Sequence, residues 1–88
     1  MNLTPSQREQ LRLCVLRHCL EPMRAGLLLG YLRSEGFSRL KYVQLDLEIV
    51  YLADKQLLTS ATGPVSPELK HWRTTAAGRD TLAQQGIE

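Results

Sequence analysis

The chain has 88 residues, of which 43% are hydrophobic and 23% charged, and its formal net charge is +2. This length suits one domain with a single hydrophobic core, and the ordinary composition excludes disordered and collagen-like chains. No apolar run approaches the about 20 residues that a membrane-spanning helix needs. Residues 1–5 lack the basic and apolar segments of a secretory signal, so we expect a cytoplasmic protein.

The charges are unevenly distributed along the chain. Residues 1–45 carry seven Lys or Arg against three Glu, a balance of +4, and residues 46–69 carry one Lys against four acidic residues, a balance of −3. Residues 70–88 carry three basic residues against two acidic ones. Nucleic-acid-binding domains of this size are usually more basic, so the charge permits nucleic-acid binding without indicating it.

Two cysteines and two histidines are the candidate metal ligands. Cys14 and Cys19 lie five residues apart on a predicted helix, where they point in different directions and cannot form a disulfide, so we expect reduced thiols. His18 shares a helix face with Cys14, but zinc needs three or four ligands and the other histidine is His71. We therefore predict a packing role for these residues, with no metal and no cofactor.

The first predicted helix has a clear start. Thr4 can cap the free amides, Pro5 suits the first helical position, and Gln7 completes a capping box. We expect this helix to end near residue 20, before Pro22. Its apolar side chains form two stripes, with Leu11, Cys14, Val15 and His18 on one side and Leu13, Leu16 and Leu20 on another.

A second helix is predicted from Met23 to about Ser34, opened by the preceding proline and ended by Gly36 as a left-handed C-cap. Gly26 and Gly30 stand four residues apart on it and lower its helix propensity. Their expected use is to let a neighbouring helix approach closely. The alternative, a phosphate-binding loop, fits poorly because both glycines lie inside a leucine-rich helix.

Ser38 is predicted to cap a third helix. Two nearly opposite apolar stripes follow its length: Leu40, Val43, Leu47, Val50 and Tyr51 on one, and Leu45, Ile49 and Leu52 on the other. Such a pattern is wider than a three-helix core needs, so we expect one stripe of this helix or of the first helix to meet a partner chain.

The rest of the chain is predicted to form a hairpin and a last helix. Residues 57–62 and 70–75 form its two strands, and the Pro- and Gly-containing stretch 63–68 connects them. Thr75 is expected to cap a helix over residues 76–85, which ends at Gly86.

Two segments carry a family resemblance. They are Asp46-Leu47, followed by Tyr51-Leu52-Ala53-Asp54-Lys55-Gln56-Leu57-Leu58, and then Trp72-Arg73-Thr74-Thr75-Ala76-Ala77-Gly78-Arg79. With the order of elements, they make the chain resemble the winged-helix superfamily, particularly small bacterial regulators of the MarR and PadR type. The sequence departs from that pattern at Gln56, where a glycine usually ends the recognition helix, and at Thr74, where an apolar residue usually precedes the cap.

The resemblance implies an α+β winged helix-turn-helix fold over residues 1–88 as a single domain. It comprises a three-helix bundle, a two-stranded β-hairpin wing and a C-terminal helix. The recognition helix would be residues 38–55 and the wing residues 63–70, and such a helix commonly enters the major groove. The implied DNA-binding residues are Ser38, Arg39, Lys41, Tyr42, Gln44, Lys70, His71 and Arg73.

The side chains of the third helix include groups that favour DNA binding and groups that oppose it. Arg39 and Lys41 can bind phosphate or guanine, and Gln44 can bind an adenine edge, although all three also suit an ordinary solvated helix start. Asp46 and Asp54, together with a third carboxylate at residue 48, oppose deep insertion because phosphates repel them. Only the first two turns of the helix are then expected to read bases.

The sequence therefore supports two functions of a non-enzymatic binding module. The first is a dimeric, transcription-regulator-like protein that binds double-stranded DNA, and the basic start of the third helix favours it. The alternative is a protein-interaction module that does not bind DNA and uses an apolar stripe to bind itself or another protein. The acidic middle of the chain favours this alternative. No local motif supports a catalytic triad.

Overall fold

The computed structural model describes residues 3–62 and 70–86. Its elements are α1 Pro5–His18, α2 Ala25–Ser34, α3 Tyr42–Asp54, β1 Leu58–Thr62, β2 Lys70–Thr74 and α4 Ala76–Gln84. The strands pair antiparallel, in a register that runs from Leu58 opposite Thr74 to Thr62 opposite Lys70. This order confirms the predicted three helices, hairpin and last helix. The connecting residues of the predicted wing, 63–69, lie outside the described residues.

The core is built mainly from leucine side chains of all four helices. Its fully buried members include Leu11, Val15, Leu16, Leu28, Leu32, Leu40, Leu45, Ile49, Leu52 and Leu82. Helix α1 contacts the other three helices and β2, so residues from both of its predicted stripes are buried. Helix α1 therefore has no complete apolar stripe exposed.

The amino terminus of α1 forms as predicted. The Thr4 side chain accepts a hydrogen bond from the Gln7 amide at 3.1 Å, and the Gln7 side chain accepts one from the Thr4 amide at 2.9 Å. The capping box satisfies two backbone groups that would otherwise lack partners at the helix start.

The segment between α1 and α2 pairs with the hairpin through an isolated β-bridge that the sequence did not predict. Met23 forms an antiparallel bridge with Trp72, through hydrogen bonds of 3.0 and 2.8 Å between their backbones. Helix α2 therefore begins at Ala25 rather than at residue 23. The predicted helix start at Met23 was wrong because backbone pairing with Trp72, 49 residues away, outweighs the helical preference of a residue that follows proline.

Helix α3 starts four residues later than predicted. Leu40 is fully buried, its amide donates to the Phe37 carbonyl at 3.0 Å, and its own carbonyl accepts from Arg33 Nε at 2.8 Å. These contacts hold residues 38–41 in a non-helical turn, so Ser38 is not the cap. Before this turn, Gly36 takes the predicted left-handed conformation with φ +111°, and the Phe37 amide donates to the Leu32 carbonyl.

Helix α4 is fixed against the base of the hairpin. The Thr75 side chain accepts from the Gly78 amide at 3.1 Å and donates to the Gln56 carbonyl at 2.7 Å. The predicted cap is therefore confirmed, and the same hydroxyl also joins α4 to the end of α3.

Candidate functional site

The predicted DNA-binding residues lie in three places. Ser38 and Arg39 occupy the exposed turn before α3. Lys41, Tyr42 and Gln44 lie at the start of α3, where only Gln44 is partly buried. The remaining three residues, Lys70, His71 and Arg73, lie on β2.

The Gln44 side chain is used inside the fold. Its Oε1 atom accepts a hydrogen bond from the Lys41 backbone amide at 2.9 Å, and the backbone amide of Gln44 donates to the Lys41 carbonyl at 3.0 Å. This arrangement caps the start of α3. An adenine edge would need the same carbonyl oxygen, so reading a base with Gln44 would cost the helix this cap.

The two faces of the hairpin separate the basic residues of β2. Successive side chains of a strand point to opposite faces, so Lys70 and Trp72 share the face of the buried Thr74, while His71 and Arg73 lie on the other face. The Lys70 Nζ atom lies 5.2 Å from the centre of the Trp72 ring. Lys70 and Arg73 therefore do not form one continuous basic surface.

A cleft of about 470 Å³ brings together residues from α2, α3 and β2. Its polar lining consists of Arg24, Tyr42, Asp46 and Lys70, and the Trp72 ring forms part of its wall. The sequence did not identify Arg24, because the predicted second helix began at Met23 and placed Arg24 inside it, whereas in the structure Arg24 is the N-cap of α2. The cleft combines two cations and a phenol with one carboxylate.

The outer face of α3 is an exposed aliphatic surface. Val43 is 63% exposed, Leu47 65% and Val50 48%, and their spacing places them on one side of the helix. We call these three residues the α3 ridge. The opposite stripe, Leu45, Ile49 and Leu52, is buried. Leu40, which the pattern assigned to the outer stripe, is buried because it lies in the turn before the helix.

Helix α3 also has an unusual charge distribution. Residues 42–54 include three carboxylates and no Lys or Arg. Asp46 and Asp54 are exposed, whereas Glu48 is only 8% exposed. The exposed face thus presents aliphatic groups and acceptors, and it lacks the cationic donors that usually contact bases and phosphates.

A charged cluster fixes the inner edge of α3 on α1. Glu48 Oε2 lies 2.5 Å from Arg12 Nε, and Glu48 Oε1 lies 3.7 Å from Arg8 Nε. The Arg12 guanidinium also lies 3.8 Å from the centre of the Tyr51 ring. The cluster neutralises the buried carboxylate and partly covers Tyr51, so this edge of α3 is occupied by the chain itself.

Cys14, Cys19 and His18 pack against or bond to other parts of the fold. Burial raises the pKa of the Cys19 thiol to about 12, and burial also raises the pKa of Cys14. His18 Nε2 lies 2.6 Å from Glu35 Oε1, and its ring stacks on Tyr31 at 5.4 Å. Within residues 3–62 and 70–86, no group of three or more His, Cys, Asp and Glu side chains could hold a metal ion. None of the helices described there is long and apolar enough to cross a membrane.

The chain matches no protein-family model, and no curated protein matches its sequence. Its structure is similar to that of a mutant of ZitR from Lactococcus lactis, a winged-helix regulator, with a TM-score of 0.66 and 13% identity. The match covers 98% of this chain and 52% of ZitR, so the chain spans about half the length of that protein. This similarity shows a winged-helix fold, and it leaves the family within that fold unassigned.

Proposed function

We propose that the chain is a non-catalytic, single-domain winged-helix protein of the cytoplasm whose α3 ridge binds another polypeptide chain. The observation that carries this proposal is the exposed aliphatic face of α3, the helix that corresponds to the recognition helix of the fold. The proposed function is therefore that of a protein-interaction module, and the apolar stripe that binds the partner is on α3 rather than on α1.

Burial of the ridge would release apolar surface from water. Fully burying a valine or leucine side chain stabilises by about 1.5–3 kcal/mol, so three half-exposed side chains offer several kcal/mol before the costs of association. Aliphatic residues scattered singly on a surface need no explanation, whereas a continuous exposed row on one helix face is a candidate interaction surface. A groove or helix of another protein would supply a matching apolar surface.

The same face fits a DNA groove poorly. Val43, Leu47 and Val50 cannot hydrogen-bond to a base edge, and an aspartate can only accept hydrogen bonds there. Asp46 and Asp54 would also approach the phosphates, and the only Lys or Arg residues adjoining the helix are its two caps, Lys41 and Lys55. The repulsion by these carboxylates would weaken binding most at low salt.

A dimeric DNA-binding regulator is the second candidate, and a specific observation favours it. Arg24, Tyr42 and Lys70 line one cleft together with Asp46, and Arg39 and Lys41 lie just before Tyr42 in sequence and are exposed. Such groups bind the phosphate backbone. Ser38 lies in the same turn as Arg39, whereas His71 and Arg73 lie on the other face of the hairpin, and Gln44 would contact a base only on release of its cap. ZitR, a regulator of similar fold, gives this candidate its precedent.

Photo-crosslinking tests the proposed function directly. A photoreactive amino acid replaces Leu47 in cells that express the full chain, and a matched variant carries it in place of Leu20, an exposed leucine outside the ridge. We expect polypeptide adducts from position 47 and none from position 20, with the partner identified by mass spectrometry. Adducts to DNA alone, or no adduct from position 47, would contradict protein binding by α3.

A DNA titration separates the two candidates. Fluorescent random duplex DNA is titrated at low and high salt with the wild type, with Arg24→Ala/Lys70→Ala and with Leu47→Lys. We expect no saturable binding by the wild type. Salt-sensitive binding that the cleft variant loses and the Leu47 variant retains would establish the DNA-binding candidate in its place.

A further inference from the structure

We infer that the cleft between α2, α3 and β2 binds a phosphorylated nucleoside, in the form of a free mononucleotide. This inference goes beyond the proposed function and does not require a protein partner, because the described residues that line the cleft include none of the α3 ridge. It follows from the size of the cleft, from the side chains that line it and from the way the fold holds them together.

The fold brings the walls of the cleft together from three segments that are distant in sequence. They are the start of α2, the first half of α3 and the strand β2. The bridge between Met23 and Trp72 fixes the first of these segments to the last, through backbone hydrogen bonds of 3.0 and 2.8 Å. Arg24 follows that bridge directly, so the fold itself holds it at the same cleft as Lys70. A ligand would therefore meet a site whose backbone is already in place.

The polar side chains of the cleft have unused capacity for hydrogen bonds. The side chains of Arg24, Tyr42 and Asp46 form no hydrogen bond or ion pair with any residue in 3–62 or 70–86. The Lys70 ammonium lies over the Trp72 ring, 5.2 Å from its centre, and this contact still leaves its N–H groups able to donate. The cleft therefore presents two cationic donors, a phenol and a carboxylate to a ligand.

The balance of charge in the cleft favours an anion. Arg24 and Lys70 contribute two positive charges, and Asp46 contributes one negative charge. A guanidinium binds phosphate through two parallel hydrogen bonds, and a lysine ammonium binds it as a point charge. A bare phosphate ion would leave Asp46 without a partner and repelled by the bound charge. The ligand must therefore also carry hydrogen-bond donors.

The remaining lining groups distinguish a nucleotide from a simpler anion. The Trp72 ring and the Leu27 side chain provide an aromatic and apolar wall on which a base can stack. Asp46 accepts hydrogen bonds, and ribose hydroxyls are donors that acidic side chains bind in nucleotide sites. The volume of about 470 Å³ falls within the about 300–1,000 Å³ typical of small-molecule sites. An aromatic acid would suit the cations and the ring but would leave Asp46 unpaired.

Trp72 is the only tryptophan of the chain, so its fluorescence reports binding at the cleft. The full chain is titrated with each of the four common ribonucleoside monophosphates, and with adenosine and inorganic phosphate as separate probes. We expect saturable quenching by at least one nucleotide, with a Kd between about 10 µM and 1 mM, and at least about tenfold weaker binding of adenosine and phosphate. Absence of saturable binding by all four nucleotides, in fluorescence and in calorimetry, would overturn the inference.

Gly26 allows the cleft to be filled without removing a charge. It lines the cleft, and a Cβ added there would meet nothing within 4 Å. Gly26→Met should weaken nucleotide binding at least about tenfold, because the new side chain occupies space that the ligand needs. Gly30→Met is the matched control. Gly30 lies four residues later on α2, is equally open and is not part of the lining, so its variant should bind within about twofold of the wild type.

Misfolding cannot imitate this difference between the two variants. Both replace a glycine inside α2 by a better helix former, so neither should unfold at a lower urea concentration than the wild type. Equal weakening of nucleotide binding by Gly26→Met and Gly30→Met, or unchanged binding by Gly26→Met, would overturn the assignment of the ligand to this cleft.

Two further comparisons test the chemistry of recognition. Arg24→Ala/Lys70→Ala should weaken nucleotide binding at least about tenfold, and binding by the wild type should weaken as salt is added. The 2′,3′-dideoxy form of the best nucleotide should bind the wild type more weakly than the parent nucleotide does, whereas Asp46→Ala should bind the two alike. Equal binding of the two nucleotides by the wild type would contradict the contact between Asp46 and the ribose.

This inference and the proposed function can fail independently. Leu47→Lys changes the α3 ridge and leaves the cleft lining intact, so it should retain nucleotide binding whether or not position 47 yields crosslinked protein. Random duplex DNA, added to the nucleotide complex at equal phosphate concentration, separates the two sources of phosphate. We expect the nucleotide to stay bound. Displacement by the duplex would assign the cleft to the DNA backbone and overturn the inference.

Discussion

Gln56 ends α3 in a conformation that usually requires glycine. Its φ is +62°, and among the described residues it is the only non-glycine with a positive φ. The Leu57 amide donates to the Leu52 carbonyl at 2.9 Å across this residue, which is the hydrogen bond of a Schellman motif. The backbone therefore keeps the geometry of a glycine C-cap, and the side chain of Gln56 makes that geometry costly.

Replacing Gln56 by glycine should stabilise the protein by about 1 kcal/mol, because glycine adopts this conformation without a steric penalty. The midpoint of urea unfolding measures the change. Lys55→Gly is the matched control, since Lys55 has an ordinary φ of −81° and should lose stability on substitution. An unchanged or lower midpoint for Gln56→Gly would contradict the strain at this position.

Thr74, the other departure from the family pattern, is almost fully buried, with 1% of its surface exposed. Its hydroxyl donates to the Leu16 carbonyl at 2.7 Å, and its amide donates to the Cys19 carbonyl at 2.8 Å. The polar side chain is tolerated because its hydrogen bond is satisfied, and it joins β2 to the end of α1.

Glu35 should make stability depend on pH. The hydrogen bond from His18 is the main cause that lowers its pKa below the ordinary 4.5, with smaller contributions from Arg17. A lowered pKa means that the unfolded chain binds more protons below pH 4.5, so this contribution is present above that pH and is lost on acidification.

The comparison of wild type with Glu35→Gln, by urea unfolding on either side of pH 4.5, measures that contribution. We expect the wild type to be the more stable at the higher pH, and the difference to shrink at the lower pH. Glu21→Gln, which removes another exposed carboxylate, is the control. A difference that does not shrink on acidification would show that the carboxylate charge of Glu35 is not the cause.

At the scale of elements, the glycines of α2 and α4 have opposite roles. An added Cβ at Gly26 or Gly30 would meet nothing within 4 Å, so the predicted close approach of a neighbouring helix to α2 was wrong within the single chain. At Gly78 a Cβ would lie 2.5 Å from both the Leu57 carbonyl oxygen and Thr74 Cγ2. The close approach therefore occurs between α4 and the hairpin.

Gly30→Ala should raise the free energy of unfolding by about 1 kcal/mol, because alanine is the better helix former and has open space there. Gly78→Ala should lower it by about 1–3 kcal/mol, because the methyl group overpacks the contact with the hairpin. Thermal and urea unfolding of both variants measures the two effects. If both substitutions changed the free energy of unfolding in the same direction, the assignment of the close contact to Gly78 would be contradicted.

At the scale of the whole molecule, the Arg12–Glu48 ion pair joins α1 to α3 through two residues that are 36 positions apart in sequence. Arg12→Ala should destabilise the protein by about 2 kcal/mol, because it leaves a nearly buried carboxylate without its main partner. Arg17→Ala is the control: its pair with Glu35 is exposed, so the cost should stay below about 1 kcal/mol.

The double variant Arg12→Met/Glu48→Leu refines this test. It removes both charges and keeps apolar volume between α1 and α3, so it should recover most of the stability that Arg12→Ala loses. Urea unfolding of all variants at one pH gives the comparison. A double variant as unstable as Arg12→Ala would show that packing of the arginine stem, rather than the unpaired carboxylate, sets the cost.

The sequence by itself determined the features that depend on neighbours a few residues away. Thr4 and Thr75 cap the helices that follow them, Gly36 ends α2, and the two apolar stripes of α3 have the predicted spacing. Each rests on hydrogen bonds or periodicity within about one or two turns of helix, so the local sequence contains the information. The order of elements, and with it the fold, followed from these signals.

The tertiary structure alone decided which surfaces remain exposed. The bridge between Met23 and Trp72 moved the start of α2, and burial of Leu40 moved the start of α3. Packing of α1 on its neighbours buried residues of both of its stripes, whereas α3 kept most of one stripe in solvent. Such outcomes depend on residues distant in sequence that compete for one small core, and periodicity cannot show which stripe a neighbour will cover.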